Sequence, residues 1–140
     1  MSQERRPPKV LAMIVCDQVV RDEHTKKVSI IGSFNRILAS RFPAEHRNCA
    51  IYVALTDGQG IYEGELRFSF AESDEPLLVA KGQMKLDHPL QVLEMNFPVV
   101  VLPLPRPGKY AIEFFADGER LTGRYFVAEE AQKEASDAPD

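Results

Sequence analysis

The residues of this chain that could do chemistry are few and scattered. His24, His46 and His88 fall in predicted turns or irregular segments, and their spacing matches no metal-binding pattern such as HxH or HExxH. We interpret them as solvated loop histidines. Asp22 and Glu23 stand beside His24 and could bind a cation with it, but a charged hairpin tip explains the three residues more simply.

Cys16 and Cys49 are the candidate nucleophiles. A catalytic cysteine needs a histidine and a third partner, and no local sequence signature supplies them. Cys16 ends one apolar run and Cys49 begins another, so we interpret both as buried free thiols. The alternative is a bridge between neighbouring strands, although two cysteines do not make a disulfide framework in a chain of this length.

Enzyme motifs are absent from the sequence. It contains no GxSxG, P-loop or GxGxxG pattern, and "DGQG" is a turn rather than a phosphate cradle. If the protein were an enzyme of unrecognised geometry, Asp17, His24 and Asn35 would be the residues to consider. We therefore predict no catalytic residue, no metal and no cofactor.

Composition indicates one ordinary globular domain. The chain has 140 residues, of which 44% are hydrophobic and 27% charged, with a net charge of −4. The segment from Glu129 onward carries five acidic residues and one lysine, so it accounts for the whole of that charge. The rest of the chain is close to neutral and lacks the basic footprint of a nucleic-acid-binding protein.

The N-terminal stretch "MSQERRPPKVLAMIVCD" has some features of an export or lipoprotein signal. Its apolar run is short, and Val15 is β-branched where a lipoprotein site needs a small residue. No stretch approaches the ~20 apolar residues of a membrane span. We expect a cytoplasmic protein with no membrane association.

Alternation of apolar and polar residues recurs along the chain with turn signals between the runs, which predicts β-strands. The clearest run places Tyr62, Leu66 and Phe68 on one face. Eight short strands favour an all-β, antiparallel two-sheet sandwich of immunoglobulin-like type over residues 8–128. Residues 36–48 are predicted to be irregular or a short crossover, and residues 129–140 to form a flexible acidic tail.

Two hairpin registers follow from turn chemistry. Asp117-Gly118 suits a two-residue type I′ turn, which predicts three cross-strand pairs: Phe114 with Leu121, Ile112 with Gly123, and Tyr110 with Tyr125. A turn on Gly58-Gln59 would likewise pair Leu55 with Tyr62. Pro98 and Pro103 cannot donate to a ladder, so their strand should lie at a sheet edge or bend there.

This register predicts a partner-binding patch on the outer face of the final hairpin. Aromatic side chains rimmed by basic ones are typical of interfaces, and five residues make up this candidate patch: Lys109, Phe115, Arg120, Arg124 and Phe126. The alternative is that Phe115 merely lies under the Arg120 guanidinium. The run from Val10 to Val15 is apolar on both faces and needs a further cover, which a loop, residues 36–48 or another chain could supply.

Three stretches together resemble an uncharacterised family of small bacterial proteins known as a domain of unknown function. They are "KVLAMIVCDQVVRDEHTKKVSIIGSFNRI", "FPAEHRNCAIYVALTDGQGIYEGELRF" and "PLPRPGKYAIEFFADGERL", within roughly residues 9 to 128. The resemblance implies a bacterial single-domain protein with a β-rich fold, and it implies no activity or cofactor. "PGKYAIEFFADGE" also resembles the closing strands of immunoglobulin-like sandwiches, with Tyr110 as a tyrosine-corner residue.

We consider three functions. A non-enzymatic binding or assembly module is favoured, with a protein partner or a second copy of the chain, and a homodimer as the commonest assembly. A sandwich that binds a carbohydrate or other small ligand is the alternative, but the chain lacks the tryptophan of a usual aromatic platform. An enzyme with an unrecognised site is the least favoured.

Overall fold

The computed structural model describes residues 6–131, whose regular structure consists of nine β-strands. The strands are β1 (Lys9–Arg21), β2 (Val28–Ser33), β3 (Arg36–Ala39), β4 (Ala44–Thr56), β5 (Gly60–Phe70), β6 (Pro76–Leu86), β7 (Leu93–Leu104), β8 (Gly108–Ala116) and β9 (Glu119–Glu130). The additional strand relative to the predicted eight is β3, which lies with the start of β4 in the segment predicted to be irregular.

The strands form two sheets that pack face to face. The four-stranded sheet has the order β2-β1-β4-β7, and the five-stranded sheet has the order β3-β9-β8-β5-β6. This arrangement confirms the predicted all-β sandwich, with one parallel pair, β3 with β9, among antiparallel ones. β9 continues to Glu130, two residues past the predicted domain boundary. The remainder of the predicted tail, from residue 132, lies outside the described residues.

A single core fills the space between the sheets. Tyr62, Leu66, Phe68, Ile112 and Phe114, which alternation predicts to face inward, are all buried in this core. At its centre three aromatic rings from β5, β8 and β9 lie nearly parallel, with centroids 5.3 to 5.7 Å apart. The three are Phe68, Tyr110 and Phe126.

The final hairpin has the predicted turn but not the predicted register. Asp117 and Gly118 have φ angles of 51° and 81°, as a type I′ turn requires. Beyond the turn Leu121 is the extra residue of a bulge, so Phe114 lies opposite Thr122 and Tyr110 opposite Phe126. All three predicted pairs are therefore wrong, including that of Ile112 with Gly123, because one inserted residue exchanges the two faces of β9.

The predicted hairpin between Leu55 and Tyr62 is also wrong. β4 pairs with β1 and β7, whereas β5 pairs with β6 and β8, so the chain crosses from one sheet to the other at residues 57–59. Both side chains are buried, but they enter the core from opposite sheets. Gly58 allows this crossing, since a Cβ there would lie 2.8 Å from the Leu86 side chain.

Two further sequence predictions are confirmed. Tyr110 forms a tyrosine corner, because its hydroxyl donates to the Arg106 carbonyl and accepts from the Arg106 amide at 3.1 Å. Pro98 and Pro103 lie in β7, an edge strand of the four-stranded sheet.

Candidate functional site

The structure divides the five residues of the candidate patch between the two faces of their sheet. Lys109, Phe115 and Arg120 lie on the outer face, as predicted. Phe126 is buried in the core with 2% of its surface exposed, so its predicted outward position is wrong. Arg124 also faces inward, opposite Ile112. The bulge at Leu121 is the physical reason for both differences.

The outer face of the five-stranded sheet carries paired rather than unpaired side chains. The Lys109 ammonium lies 4.3 Å from the ring centroid of Tyr125, and Arg120 forms an ion pair with Glu113 at 2.8 Å. Phe115 is half-buried, and the Cζ atom of Arg67 lies 4.7 Å from the centroid of the Phe115 ring. The guanidinium above this ring is therefore that of Arg67 and not that of Arg120, which was the alternative from the sequence. These partners satisfy the charges locally.

The residues considered for catalysis are distributed along one hairpin. His24 is exposed in the turn between β1 and β2, where Asp22 accepts hydrogen bonds from the amides of His24 and Thr25 at 2.8 Å. These bonds hold the pKa of Asp22 below its usual value, as in an ordinary Asx turn. Among residues 6–131, no group of three or more His, Cys, Asp or Glu side chains could hold a metal ion.

Asp17 and Asn35 lie toward the other end of this hairpin. Asp17 packs against Gly32, where a Cβ would lie 2.4 Å from the carboxylate. The Asn35 carbonyl accepts a hydrogen bond from the amide of Val127. Both residues therefore have structural roles in the strand connections.

His46 differs from the other two histidines. It lies in β4, not in a loop as predicted, and its ring contacts that of Phe34 edge-on with centroids 5.4 Å apart. Within the described part of the chain, its buried Nε2 atom has no hydrogen-bond partner. The polar pattern of "AEHRN" concealed this inward position.

The two cysteines are buried free thiols, as the sequence predicts. Cys16 lies directly opposite Ala50 in the ladder between β1 and β4, so the neighbouring Cys49 points to the other face of the sheet. Burial raises the pKa of both thiols, that of Cys49 to about 11. The register thus opposes a bridge between them.

A tyrosine–carboxylate contact that the sequence did not reveal lies on the outer face of the four-stranded sheet. The Tyr52 hydroxyl donates a short hydrogen bond to Glu94, whose other oxygen is 3.9 Å from Arg21. Burial, reinforced by this bond and by the carboxylate charge, raises the pKa of Tyr52 to about 12. The contact joins β4 to β7, and pattern analysis could not find it because the two residues lie on diagonal positions.

One side of the sandwich is incompletely covered. β2 pairs only with residues 16–21 of β1, and β3 pairs only with residues 127–130 of β9. In the described residues, the earlier parts of β1 and β9 therefore have a neighbouring strand on one edge only. We call residues 9–14 and 119–126 the open flank.

A cleft of about 760 Å³ separates the two halves of the open flank. Its walls are residues 7–13 on one side and residues 119–124 on the other. Arg124 spans the cleft at one end and donates a hydrogen bond to the Met13 carbonyl. Leu11, the extra residue of a bulge in β1, is 57% exposed at this edge.

The opposite side of the sandwich carries an apolar groove of about 390 Å³ between the edge strands β6 and β7. Leu66, Phe68 and Phe97 line it. Proline in β7 and lysine at positions 81 and 85 of β6 are the residue types with which natural sheets discourage pairing at an edge. Residues 10–14 of the open flank carry neither.

Comparison with known proteins assigns the chain to a family. In residues 6–131 no helix is long and apolar enough to cross a membrane. No curated protein matches the chain. A family model described as "Family of unknown function (DUF6941)" matches residues 11–128, which include all of the sandwich except the first strand residues and the end of β9. The chain therefore belongs to the DUF6941 family, whose function is unknown.

Proposed function

We propose that this protein is a non-enzymatic binding or assembly module that engages a protein partner at its open flank. The observation that carries the proposal is that, among residues 6–131, one strand in each sheet has no neighbour along part of its outer edge, and both edges lie on the same side of the sandwich. Each edge presents backbone N–H and C=O groups that another strand can pair with. An extended segment of a protein is the partner that such an edge fits.

The side chains of the flank support this assignment. Between residues 10 and 15 every side chain of β1 is apolar, and Leu11 is 57% exposed. Main-chain pairing supplies affinity in strand addition, and apolar side chains beside the edge supply specificity. The other edge strands are short or carry proline and lysine, whereas residues 10–14 of the open flank carry neither.

Separation of the candidate residues weighs against an enzyme built on Asp17 and His24. Asp17 lies near the pair of Cys16 with Ser33, whereas His24 lies beyond the last pair of the hairpin, Arg21 with Val28. At ~3.3 Å per strand residue, several residues separate the two by well over 10 Å. One reacting atom could not contact both side chains.

Ligand binding is the second candidate function, and the groove between β6 and β7 is the observation that favours it. Its volume of about 390 Å³ falls within the range of small-molecule sites. Its lining of Leu66, Phe68 and Phe97 suits an apolar ligand rather than a carbohydrate.

The cytoplasm of a bacterium is the compartment that we propose, because reducing compartments keep thiols such as Cys16 and Cys49 free.

Site-specific photo-crosslinking in cells that make the protein tests the proposal. A photoreactive residue at position 11 should yield a defined crosslinked protein, which mass spectrometry identifies. Leu38 is the matched control, because it is a leucine of the same exposure in β3, where it lies opposite Glu129 and outside the open flank. Absence of a product at position 11, or the same products at both positions, would contradict the proposal.

A further inference from the structure

The two strands of the open flank run in the same direction. The Val15 carbonyl accepts a hydrogen bond from Phe34, and the next residue, Asn35, accepts one from Val127. Earlier along both strands, Arg124 donates to the carbonyl of Met13. Residue numbers therefore increase in the same direction from Met13 to Val15 and from Arg124 to Val127. The two strand edges of the flank are parallel.

A twofold axis across this flank makes it complementary to itself. In an antiparallel pairing of β9 with its copy about a point between Leu121 and Thr122, Glu119 lies opposite Arg124 of the second copy. The symmetry produces this acid–base pair twice. Both residues are exposed, and both lie on the inward-facing side of β9 at the cleft.

The same axis crosses β1 within residues 7–13, because these residues face residues 119–124 across the cleft. Around this point β1 meets its copy through residues 10–13, whose side chains are all apolar. Leu11, 57% exposed in the single chain, would be covered at the axis. Like charges do not meet in this arrangement, since Lys9 is the only charged residue from position 9 to position 15.

Arg124 can serve both contacts. Its guanidinium carries five N–H donors, and one nitrogen, Nη1, is committed to the Met13 carbonyl at 2.7 Å. Among the described residues the guanidinium has no other acceptor, so its remaining donors can receive a carboxylate from across the axis. The hydrogen bond within the chain thus holds the guanidinium at the edge where the second copy would present Glu119.

We infer that the partner at the open flank is a second copy of this chain, paired edge to edge about a twofold axis with Glu119 of each copy against Arg124 of the other. This inference rests on the proposed function, for which it names the partner. It explains why β2 and β3 leave parts of β1 and β9 unpaired on the same side of the sandwich, since a second copy would extend both sheets together.

Charge reversal tests the inference in the full chain. Glu119→Arg or Arg124→Glu alone places like charges across the axis, so each should raise the dimer dissociation constant about tenfold or more. Mixing the two variants restores both opposite-charge pairs, because one chain supplies two arginines and the other two glutamates. The mixture should therefore form heterodimers, which sedimentation velocity and native mass spectrometry detect. Glu72→Arg, an exposed charge reversal in the loop between β5 and β6, is the matched control and should dimerise as the wild type does.

Two outcomes would overturn the inference. A wild type that stays monomeric at high micromolar concentration removes the homodimer, and a dimer that the single reversals do not weaken removes this register. Failure here is distinguishable from failure of the proposed function. Crosslinking at position 11 to a different protein would keep the binding module while overturning the second copy as its partner.

Discussion

The Arg124 guanidinium donates a 2.7 Å hydrogen bond to the backbone carbonyl of Met13, 111 residues earlier in the chain, and so joins the two sheets. The carbonyl lies in the half of β1 that has no strand on its outer edge, so the arginine satisfies a group that strand pairing leaves free. This contact also explains how an arginine occupies an inward-facing position opposite Ile112. The position is at the open flank, where the guanidinium reaches both a buried carbonyl and solvent.

Replacing Arg124 by Ala should lower the free energy of unfolding by about 1 kcal/mol, because the Met13 carbonyl loses its charged donor. Urea unfolding at low protein concentration measures this without a contribution from association. Arg120→Ala is the control: its exposed pair with Glu113 should contribute less than ~0.5 kcal/mol. Equal losses in the two variants would show that the bond between the sheets adds nothing to stability.

Phe126→Ala should cost about 3–5 kcal/mol, since it removes a ring from the central aromatic stack and leaves a cavity. Tyr125→Ala should cost less than about 1 kcal/mol, because Tyr125 is 54% exposed on the outer face. Chemical denaturation of both variants checks the register of β9. A larger loss at Tyr125 than at Phe126 would restore the simple hairpin without a bulge.

Tyr52 should make stability fall at high pH. The folded protein raises the pKa of this phenol from 10.0 to about 12, so between these values the unfolded chain loses a proton that the folded chain keeps. Unfolding is therefore favoured increasingly as the pH rises through this window, and the effect is absent below it. The slope of unfolding free energy against pH should be smaller in Tyr52→Phe.

Spectrophotometric titration of the phenols provides the control for Tyr52. The wild type should show one more late-titrating tyrosine than Tyr52→Phe. An unchanged late phase in Tyr52→Phe would assign it to another residue.

His46→Phe should leave stability unchanged or raise it by about 1 kcal/mol, because it removes a buried nitrogen without a partner and keeps an aromatic contact with Phe34. His88→Phe, at an exposed turn position, is the control and should change little. Thermal unfolding compares the two variants with the wild type. A marked loss in His46→Phe would mean that Nε2 has a hydrogen-bond partner in solution.

Alternation in the sequence was sufficient to predict which faces of β4, β5 and β8 form the core. Burial of Leu55, Phe68 and Phe114 depends only on period two, which holds whichever strands are neighbours. Neighbour relations were not predictable in the same way. The apolar faces of β4 and β5 are compatible with a hairpin in one sheet and equally with packing of two sheets against each other. The residue types of Leu55 and Tyr62 therefore do not indicate that the chain passes from one sheet to the other.

The candidate site could not be predicted from the sequence, because it depends on a one-residue bulge and on where two short strands end. The bulge at Leu121 moves Phe126 inward and places Arg124 on the same face, where it donates to the Met13 carbonyl of the other sheet. The open flank depends on where β2 and β3 stop pairing. Their lengths follow from long-range contacts that no local pattern carries.

The parallel pairing of β3 with β9 bears on how the protein is made. β9 is the last of the nine strands in the described residues, yet it lies inside its sheet between β3 and β8. Arg36 and Glu129, whose ion pair spans these strands, are separated by 93 residues. Eight strands are therefore synthesised before Phe126 can insert between Phe34 and Phe68. Contacts this distant in sequence form slowly, so we expect the insertion of β9 between β3 and β8 to be a late step of folding.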